Sequence, residues 1–406
     1  MALTEKVIMA YALKNAVEHN GKAVVASVVN SLFNEGLKKE KIKDVLPEIQ
    51  KTINKVNNLS QSEQEKEFEK LESLIGHRET REGLPELENA DKGVVMRFRP
   101  APSGPLHLGH IISGLPSSLY AEKYGGKFYI IIDDTNPEET LKDSYENIKK
   151  DFDWIFGNVY KYLNASDRIE IYYKYAEKLI EKEKAYVRDC NPEEFKKLIL
   201  NKKPCSCREL GKNEQMKRWK KMIDKKGYEQ GEAVLRFKSD LNNPNPALRD
   251  FPVARINKTK HPIQGNKYRV WPLMNLSSSV DDMELKMTHI IRGKEHKDNA
   301  KRQEMIFKVF GKKYPHSYFM GRIKFTDLVL SKRKISALIE QGEFSGYDDE
   351  KLATISSLRK RGYTREAFVK FAEQRGLSEV DKVISQKDFF QILDNFNKSS
   401  FSKRQV

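Results

Sequence analysis

Residues 97–110 read R-F-R-P-A-P-S-G-P-L-H-L-G-H, and their flanks decide how the stretch folds. Before it, V-V-M-R-F at 94–98 reads as a short buried strand. After it, I-I-S-G-L-P-S-S-L-Y-A-E-K-Y at 111–124 carries apolar residues at helical spacing. Strand, Pro/Gly-rich turn and helix therefore meet around His107 and His110. Such a junction points backbone N–H groups and the positive end of a helix dipole at an anion, and two histidines three residues apart share one helical face. The layout suits a polyphosphate; a satisfied pair of loop histidines is the plainer alternative.

The chain has 406 residues, enough for about two to four domains with real cores. Lys and Arg number 74 against 58 acidic residues, a formal charge of +16, which argues for a polyanionic partner and for nucleic acid first. A generally charged surface is the competing reading, because 33% of residues are charged and both signs intermix. No apolar stretch of about 18 residues occurs, and the N-terminus M-A-L-T-E-K-V-I-M-A has no basic segment leading into a sustained apolar one. A cytoplasmic location without membrane association is expected. The three cysteines do not form a secreted disulfide framework.

Residues 1–90 read as a helical module, with apolar residues three or four apart in A-Y-A-L-K-N-A-V, V-V-N-S-L-F-N-E-G-L and I-K-D-V-L-P-E-I-Q-K-T-I-N-K-V-N-N-L. The nearly all-polar run 61–72 and the Gly/Pro-containing 79–93 are expected to form a linker. From Val94 strand and helix alternate, an α/β pattern with a parallel sheet over 91–186. In such sheets ligands sit beyond the carboxyl ends of strands, where both the 104–110 turn and Asp133 and Asp134 fall. Residues 187–270 break the alternation and read as an insertion. Residues 271–341 resume a strand-rich pattern through Y-R-V-W-P-L-M-N-L and M-T-H-I-I-R-G-K-E-H, and 342–406 return to helices around the basic S-S-L-R-K-R-G-Y.

A second motif follows the first in order: Val329-Leu330-Ser331-Lys332-Arg333. With 97–110 it resembles the paired signatures of class I aminoacyl-tRNA synthetases of the glutamyl/glutaminyl group. The resemblance implies a Rossmann-like catalytic domain in two halves (91–186 and 271–341), an inserted domain for the tRNA acceptor end (187–270) and a helical stem-contact domain (342–406). It implies ATP and Mg²⁺ as cofactors, with Pro102, Gly104, His107, Gly109, His110, Leu330, Ser331 and Lys332 around the nucleotide. His107, His110 and Lys332 are the expected catalytic contacts to the phosphates. Val329 and Arg333 replace the first lysine and last serine of the usual second motif, but Lys332 is kept. Amino-acid activation concentrates charge on the α-phosphate and departing diphosphate, so catalysis there is mainly in-line positioning plus placed positive groups.

Asp133, at the tip of Y-I-I-I, can hold an ammonium or cap the next turn. By resemblance it binds the substrate α-amino group and lies near the terminal adenosine of tRNA. Arg97, ten residues before His107, is expected to meet a carboxylate in a bidentate fork. Arg292 stands where glutamyl enzymes carry Arg and glutaminyl enzymes a small residue, so the resemblance implies glutamate as substrate; glutamine would leave that cation buried and unpaired. The family's P-T-Y-D/N-F becomes W-P-L-M-N-L here, with Met274 at the tyrosine and Leu276 at the phenylalanine. Asn275 still fits the glutamate site.

Cys190, Cys205 and Cys207 contain the C-x-C element of a zinc knob, and thiolates are good zinc ligands; a complete site would need a fourth ligand such as His261, and free core thiols are the alternative. Arg359, Lys360 and Arg361 fall in a region that closely resembles the family's stem-contact segment, where an arginine-rich helix start meets tRNA and would give salt-dependent binding; a solvated helix end is the plainer alternative. The expected reaction is ATP-dependent ligation of L-glutamate to tRNA(Glu), with tRNA(Gln) a further candidate. The resemblance stops near Leu393, about 150 residues short of the anticodon-reading β-barrels of such enzymes, which are expected on a separate chain or dispensed with. The alternatives are a relative that glutamylates a modified base or other acceptor, and a tRNA-binding protein without catalysis.

Overall fold

The computed structural model describes residues 4–75, 83–91, 93–330 and 332–402, and the chain divides into two compact units, Met1–Arg81 and Glu82–Val406. Ser331 and the side chains of Lys332 and Arg333 lie outside the described residues.

Four helices build the first unit: α1 (Glu5–Glu18), α2 (Val25–Leu32), α3 (Ile42–Asn57) and α4 (Gln61–Leu71). Ile8, Leu13, Val28, Leu32, Ile49 and Val56 meet in its core. Helix α4 corrects the reading of 61–72 as linker. Ser60 and Glu63 close a capping box at its start, and the buried Gln64 donates to the carbonyls of Val56 (2.9 Å) and Gly21 (3.0 Å). Glu, Gln and Lys are good helix formers, so a polar composition here marks a solvated helix face rather than a break.

In the second unit β1 (Val95–Phe98) leads through the quoted turn into α5 (Leu108–Lys123), then β2 (Lys127–Ile132), α6 (Ser144–Ile155), β3 (Val159–Asn164) and α7 (Ile169–Glu181). β1, β2 and β3 pair in parallel. An insertion follows: β4 (Ala185–Arg188), α8 (Pro192–Leu200), α9 (Ser206–Glu209), α10 (Lys212–Ile223), β5 (Val234–Phe237), β6 (Pro252–Ile256) and β7 (Val270–Pro272). Its strands form one antiparallel sheet in the order β4-β5-β6-β7, which explains why the α/β alternation stops there.

The chain then enters α11 (Met274–Glu284), β8 (His289–Gly293), α12 (Lys297–Val309), β9 (His316–Met320) and β10 (Ile323–Phe325). M-N-L, read as part of a strand pattern, instead opens α11, burying Leu276 and Val280 one turn apart. β8 and β9 pair in parallel, and Thr288 N donates to Val95 O at 3.0 Å, setting β8 beside β1. Last come α13 (Lys332–Glu340), α14 (Ile355–Lys360), α15 (Arg365–Arg375), β11 (Lys382–Ile384) and α16 (Gln386–Ser402). Leu358, Phe368, Phe371 and Phe389 share one core with Ile111, Leu115 and Phe152, so these helices are continuous with the packing of the β1-β2-β3 sheet. Among the described residues no helix is long and apolar enough to cross a membrane.

Candidate active site

The two histidines organise the start of α5. His107 is its N-cap: Nδ1 accepts from Gly109 N at 3.0 Å, and His110 Nδ1 accepts from His107 N at 3.1 Å, a capping box made of imidazoles 4.2 Å apart. A neutral imidazole that accepts at Nδ1 carries its proton on Nε2, so each ring presents a donor. Gly109 is required by close approach, since a Cβ there would lie 2.8 Å from His107 Cε1. The turn is held from the other side by Leu108 N donating to Ala353 O (2.9 Å) and Ile355 N to Leu106 O (3.0 Å).

Beyond the carboxyl ends of β1, β2 and β8 lies a cavity of about 360 Å³. Of the residues expected from sequence, Arg97, Gly109, Asp133, Arg292 and Leu330 line it. Pro102, Gly104, His107, His110 and Asn275 do not: Asn275 accepts from Gln303 Nε2 at 3.4 Å, and its neighbours Met274 and Ser278, one helical turn apart on α11, face the cavity instead. Pro102 contributes its carbonyl to the turn, accepting from Leu141 N at 2.9 Å.

The two adjacent acids divide their roles. Asp134 is fully buried and accepts from Tyr145 OH (2.7 Å), Ser166 N (2.7 Å) and Ser166 Oγ (2.6 Å); burial pushes its carboxyl up. Asp133, 18% exposed, opens to the cavity but is already engaged: Arg99 Nε donates to Oδ2 at 2.9 Å and Thr135 Oγ1 to Oδ1 at 2.9 Å. Burial opposes its charged form, yet the Arg99 guanidinium and the Thr135 hydroxyl hold the carboxyl below its ordinary value. Arg99 also donates to Asp281, which accepts from Arg168 (2.6 Å) and Tyr172 (2.8 Å) as well. Arg97 makes the expected fork, but to an internal partner, Asp282, through Nε and, at 2.8 Å, Nη2.

Arg292 is different. Nη1 donates to Gln303 Oε1 at 2.9 Å, its buried Nε has no partner, and no carboxylate among the described residues lies within 4.0 Å. Burial and the nearby Arg97 cation both lower its pKa, a debt of charge that an incoming anion would relieve. Ser278 Oγ, also buried, is a second unpartnered polar atom on the cavity wall.

Arg99 and Ser278 were missed in the sequence. R-F-R places Arg97 and Arg99 on one side of an extended chain, and 274 and 278 are one helical turn apart, so both signals were present. Gln303 and Tyr314, which steady Arg292, carry no local motif.

The Cys190, Cys205 and Cys207 sulfurs all lie within 4.8 Å of one another in the insertion, a spacing close to that of thiolates sharing one tetrahedral zinc. Burial and the neighbouring thiols push the Cys190 thiol up to about 12. His261 is not the fourth ligand: its Nδ1 accepts from Ile263 N (3.1 Å) and Gln264 N (3.0 Å), and its Nε2 bonds Asp134 O at 3.0 Å. The ring serves instead to fasten the insertion to the loop that carries Asp133.

Arg359 and Lys360 occupy the last turn of α14 and Arg361 is its C-cap, correcting the expected helix start. Basic groups there complement the helix dipole. Lys360 is exposed, whereas Arg361 lies over the Phe390 ring at 4.2 Å.

A family model described as tRNA synthetases class I (E and Q), catalytic domain, matches residues 93–398. The glutamate–tRNA ligase of Methanocaldococcus jannaschii is 40% identical over 389 residues, which are 96% of this chain and 70% of that protein. The glutamate–tRNA ligase of Pyrococcus furiosus is 42% identical over 392 residues, 94% of this chain and 68% of its own length. A crystal structure of a glutamate tRNA ligase from Elizabethkingia meningosepticum in complex with its amino acid aligns with a TM-score of 0.54 at 21% identity, covering 76% of this chain and 70% of that one; the likeness is one of fold.

Proposed function

This chain belongs to the class I family of glutamate and glutamine tRNA synthetases, and from that membership and its cavity we infer a glutamate–tRNA ligase. The enzyme joins glutamate to ATP as glutamyl-adenylate with release of diphosphate. It then transfers the glutamyl group to the 3′-terminal adenosine of tRNA with release of AMP.

The observation that carries the choice of amino acid is Arg292, a cavity-lining cation whose buried Nε is unpartnered. A glutamate γ-carboxylate would satisfy it, whereas the glutamine amide brings no charge and leaves the guanidinium unpaired. In this reading Asp133 receives the α-ammonium, Arg97 offers its remaining nitrogen to the substrate, and Asn275 acts at one remove by steadying Gln303. The Nε2 donors of His107 and His110 at the α5 N-terminus meet the phosphates, with Pro102, Gly104 and Gly109 shaping the turn. Leu330, Ser331 and Lys332 of the second motif supply the remaining nucleotide contacts. Mg²⁺ bound with ATP would neutralise the departing diphosphate. Zinc on the three cysteines would brace the insertion.

The +16 chain would hold tRNA through its phosphates, with Arg359, Lys360 and Arg361 among the contacts. Cytoplasm, where ATP and tRNA meet, is the location this activity requires. The test is ATP–diphosphate exchange and tRNA charging by the purified chain, with labelled glutamate and glutamine in parallel against tRNA(Glu) and tRNA(Gln). Incorporation of glutamate is expected; activation of glutamine in preference would overturn the reading of Arg292. Lys332→Ala is expected to abolish adenylate formation while tRNA binding persists.

A further inference from the structure

The assigned ammonium acceptor is not available as an isolated carboxylate. Arg99 reaches Asp133 through Nε to Oδ2 at 2.9 Å and through Nη2 to Oδ1 at 3.4 Å, while its Nη1 is held by Asp281. Asp281 is fully buried and fixed in turn by Arg168 and by both of its oxygens on Tyr172 OH, at 3.0 and 2.8 Å. The Arg99 side chain is 6% exposed. A guanidinium tied down at both ends does not swing aside cheaply, so the Asp133–Arg99 pair meets an incoming ligand as a nearly neutral unit.

We propose that Arg99 is a specificity-determining residue of the amino-acid pocket: its cation stands in the seat of the substrate ammonium, and the pocket therefore accepts five-carbon dicarboxylates lacking an amino group nearly as well as glutamate. This rests on the reading of Asp133 and Arg292 given above. A dicarboxylate without an ammonium keeps the Arg99–Asp133 pair intact and still satisfies Arg292, with Arg97 also on the cavity wall. Glutamate must place its ammonium beside Arg99 and share Asp133 with it, and that like-charge approach offsets much of what the carboxylate contributes.

The experiment measures glutamate and glutarate binding by calorimetry, and glutarate inhibition of glutamate-dependent ATP–diphosphate exchange, in the native chain and in Arg99→Ala, Arg99→Met, Arg99→Lys and Arg99→Ala/Asp133→Asn. In the native chain the two ligands should bind within about threefold of each other. Arg99→Ala and the volume-filling Arg99→Met should favour glutamate over glutarate by about tenfold or more. Arg99→Lys should restore the native ratio, and the double variant should lose the gain, because it acts through Asp133. An unchanged ratio, or equal weakening of both ligands in Arg99→Ala and Arg99→Met, would overturn the proposal and make Arg99 a structural or carboxylate-binding group. A native chain that binds no glutamate would overturn the underlying reading, whereas intact glutamate binding with an unmoved ratio sinks this inference alone.

Discussion

Arg292 Nη1 donates to Gln303 Oε1 at 2.9 Å, and Tyr314 OH donates to the same oxygen at 2.9 Å, so one amide from α12 fixes the orientation of this cavity-lining cation. Gln303 is fully buried. Replacing it by Leu removes the acceptor and leaves the guanidinium unanchored, at a cost of about 1–3 kcal/mol to whatever Arg292 binds. Gln303→Leu is expected to raise the KM for glutamate by about tenfold or more with kcat little changed. A KM that stays put in steady-state exchange assays would show that Arg292 is oriented by other means.

Removing the cation itself tests selectivity rather than affinity. Arg292→Cys is expected to erode the preference for glutamate over glutamine, because both side chains then meet an uncharged wall. The measurement is the ratio of kcat/KM for the two amino acids. A variant as selective as the native chain would take Arg292 out of side-chain recognition.

The turn that opens α5 makes a prediction through Gly109. A methyl group there would stand 2.8 Å from His107 Cε1 and displace the ring from its cap on the helix. Loss of an N-cap bond costs about 0.5–2 kcal/mol. Gly109→Ala should therefore lower the thermal midpoint and raise the KM for ATP more than that for glutamate. Equal effects on both substrates would mean that the histidine pair does not face the nucleotide.

These residues differ in how readable they were. The β1-turn-α5 junction, Asp133 and Arg292 could be found because each sits in a contiguous motif whose period or composition is local. The partners that decide their chemistry are not local: Arg99 and Asp281 are 182 positions apart, and Arg97 and Asp282 are 185. Only the folded chain brings β1 and α11 together. The opening of α11, M-N-L, reads as a continuation of the strand because its N-cap, Leu273, offers no capping side chain and the preceding β7 runs straight into it. Helix α4 is masked by its polarity, since the face that docks it is short: the buried Gln64 with Phe68 and Leu71, one turn apart, amid charged and amide residues.

Asp151 on α6 gives a pH signature. It is 7% exposed, and burial pushes its carboxyl up from 3.8 to about 6 although Arg359 and Lys150 pull the other way. The folded chain then holds this proton more tightly than the unfolded chain. Stability from this group falls as pH rises from about 4 to about 6, and above that a constant penalty on the order of 2–3 kcal/mol remains. Asp151→Asn is expected to stabilise the protein at pH 7.5 and to be nearly neutral at pH 4. Denaturant melts at the two pH values decide it, and a variant that is less stable at pH 7.5 would show that attraction to Arg359 outweighs burial.

The cysteine triad leads to the last expectation. Three sulfurs within 4.8 Å of one another, two of them buried, form most of a tetrahedral thiolate site, and Arg188 stands beside them with Nη1 on the Cys190 carbonyl. Tyr186, Phe195 and Leu241 pack around the same cysteines in a small satellite core. A structural zinc would join α9 to the β4 end of the insertion, and metal-binding energy at such a site is folding energy. The purified chain is expected to carry one zinc per molecule by elemental mass spectrometry and to lose it in Cys205→Ser. Chelation should expose three thiols to a colorimetric reagent and lower the melting temperature. Three reactive thiols before chelation, with no change in melting afterwards, would make the triad a patch of ordinary core cysteines.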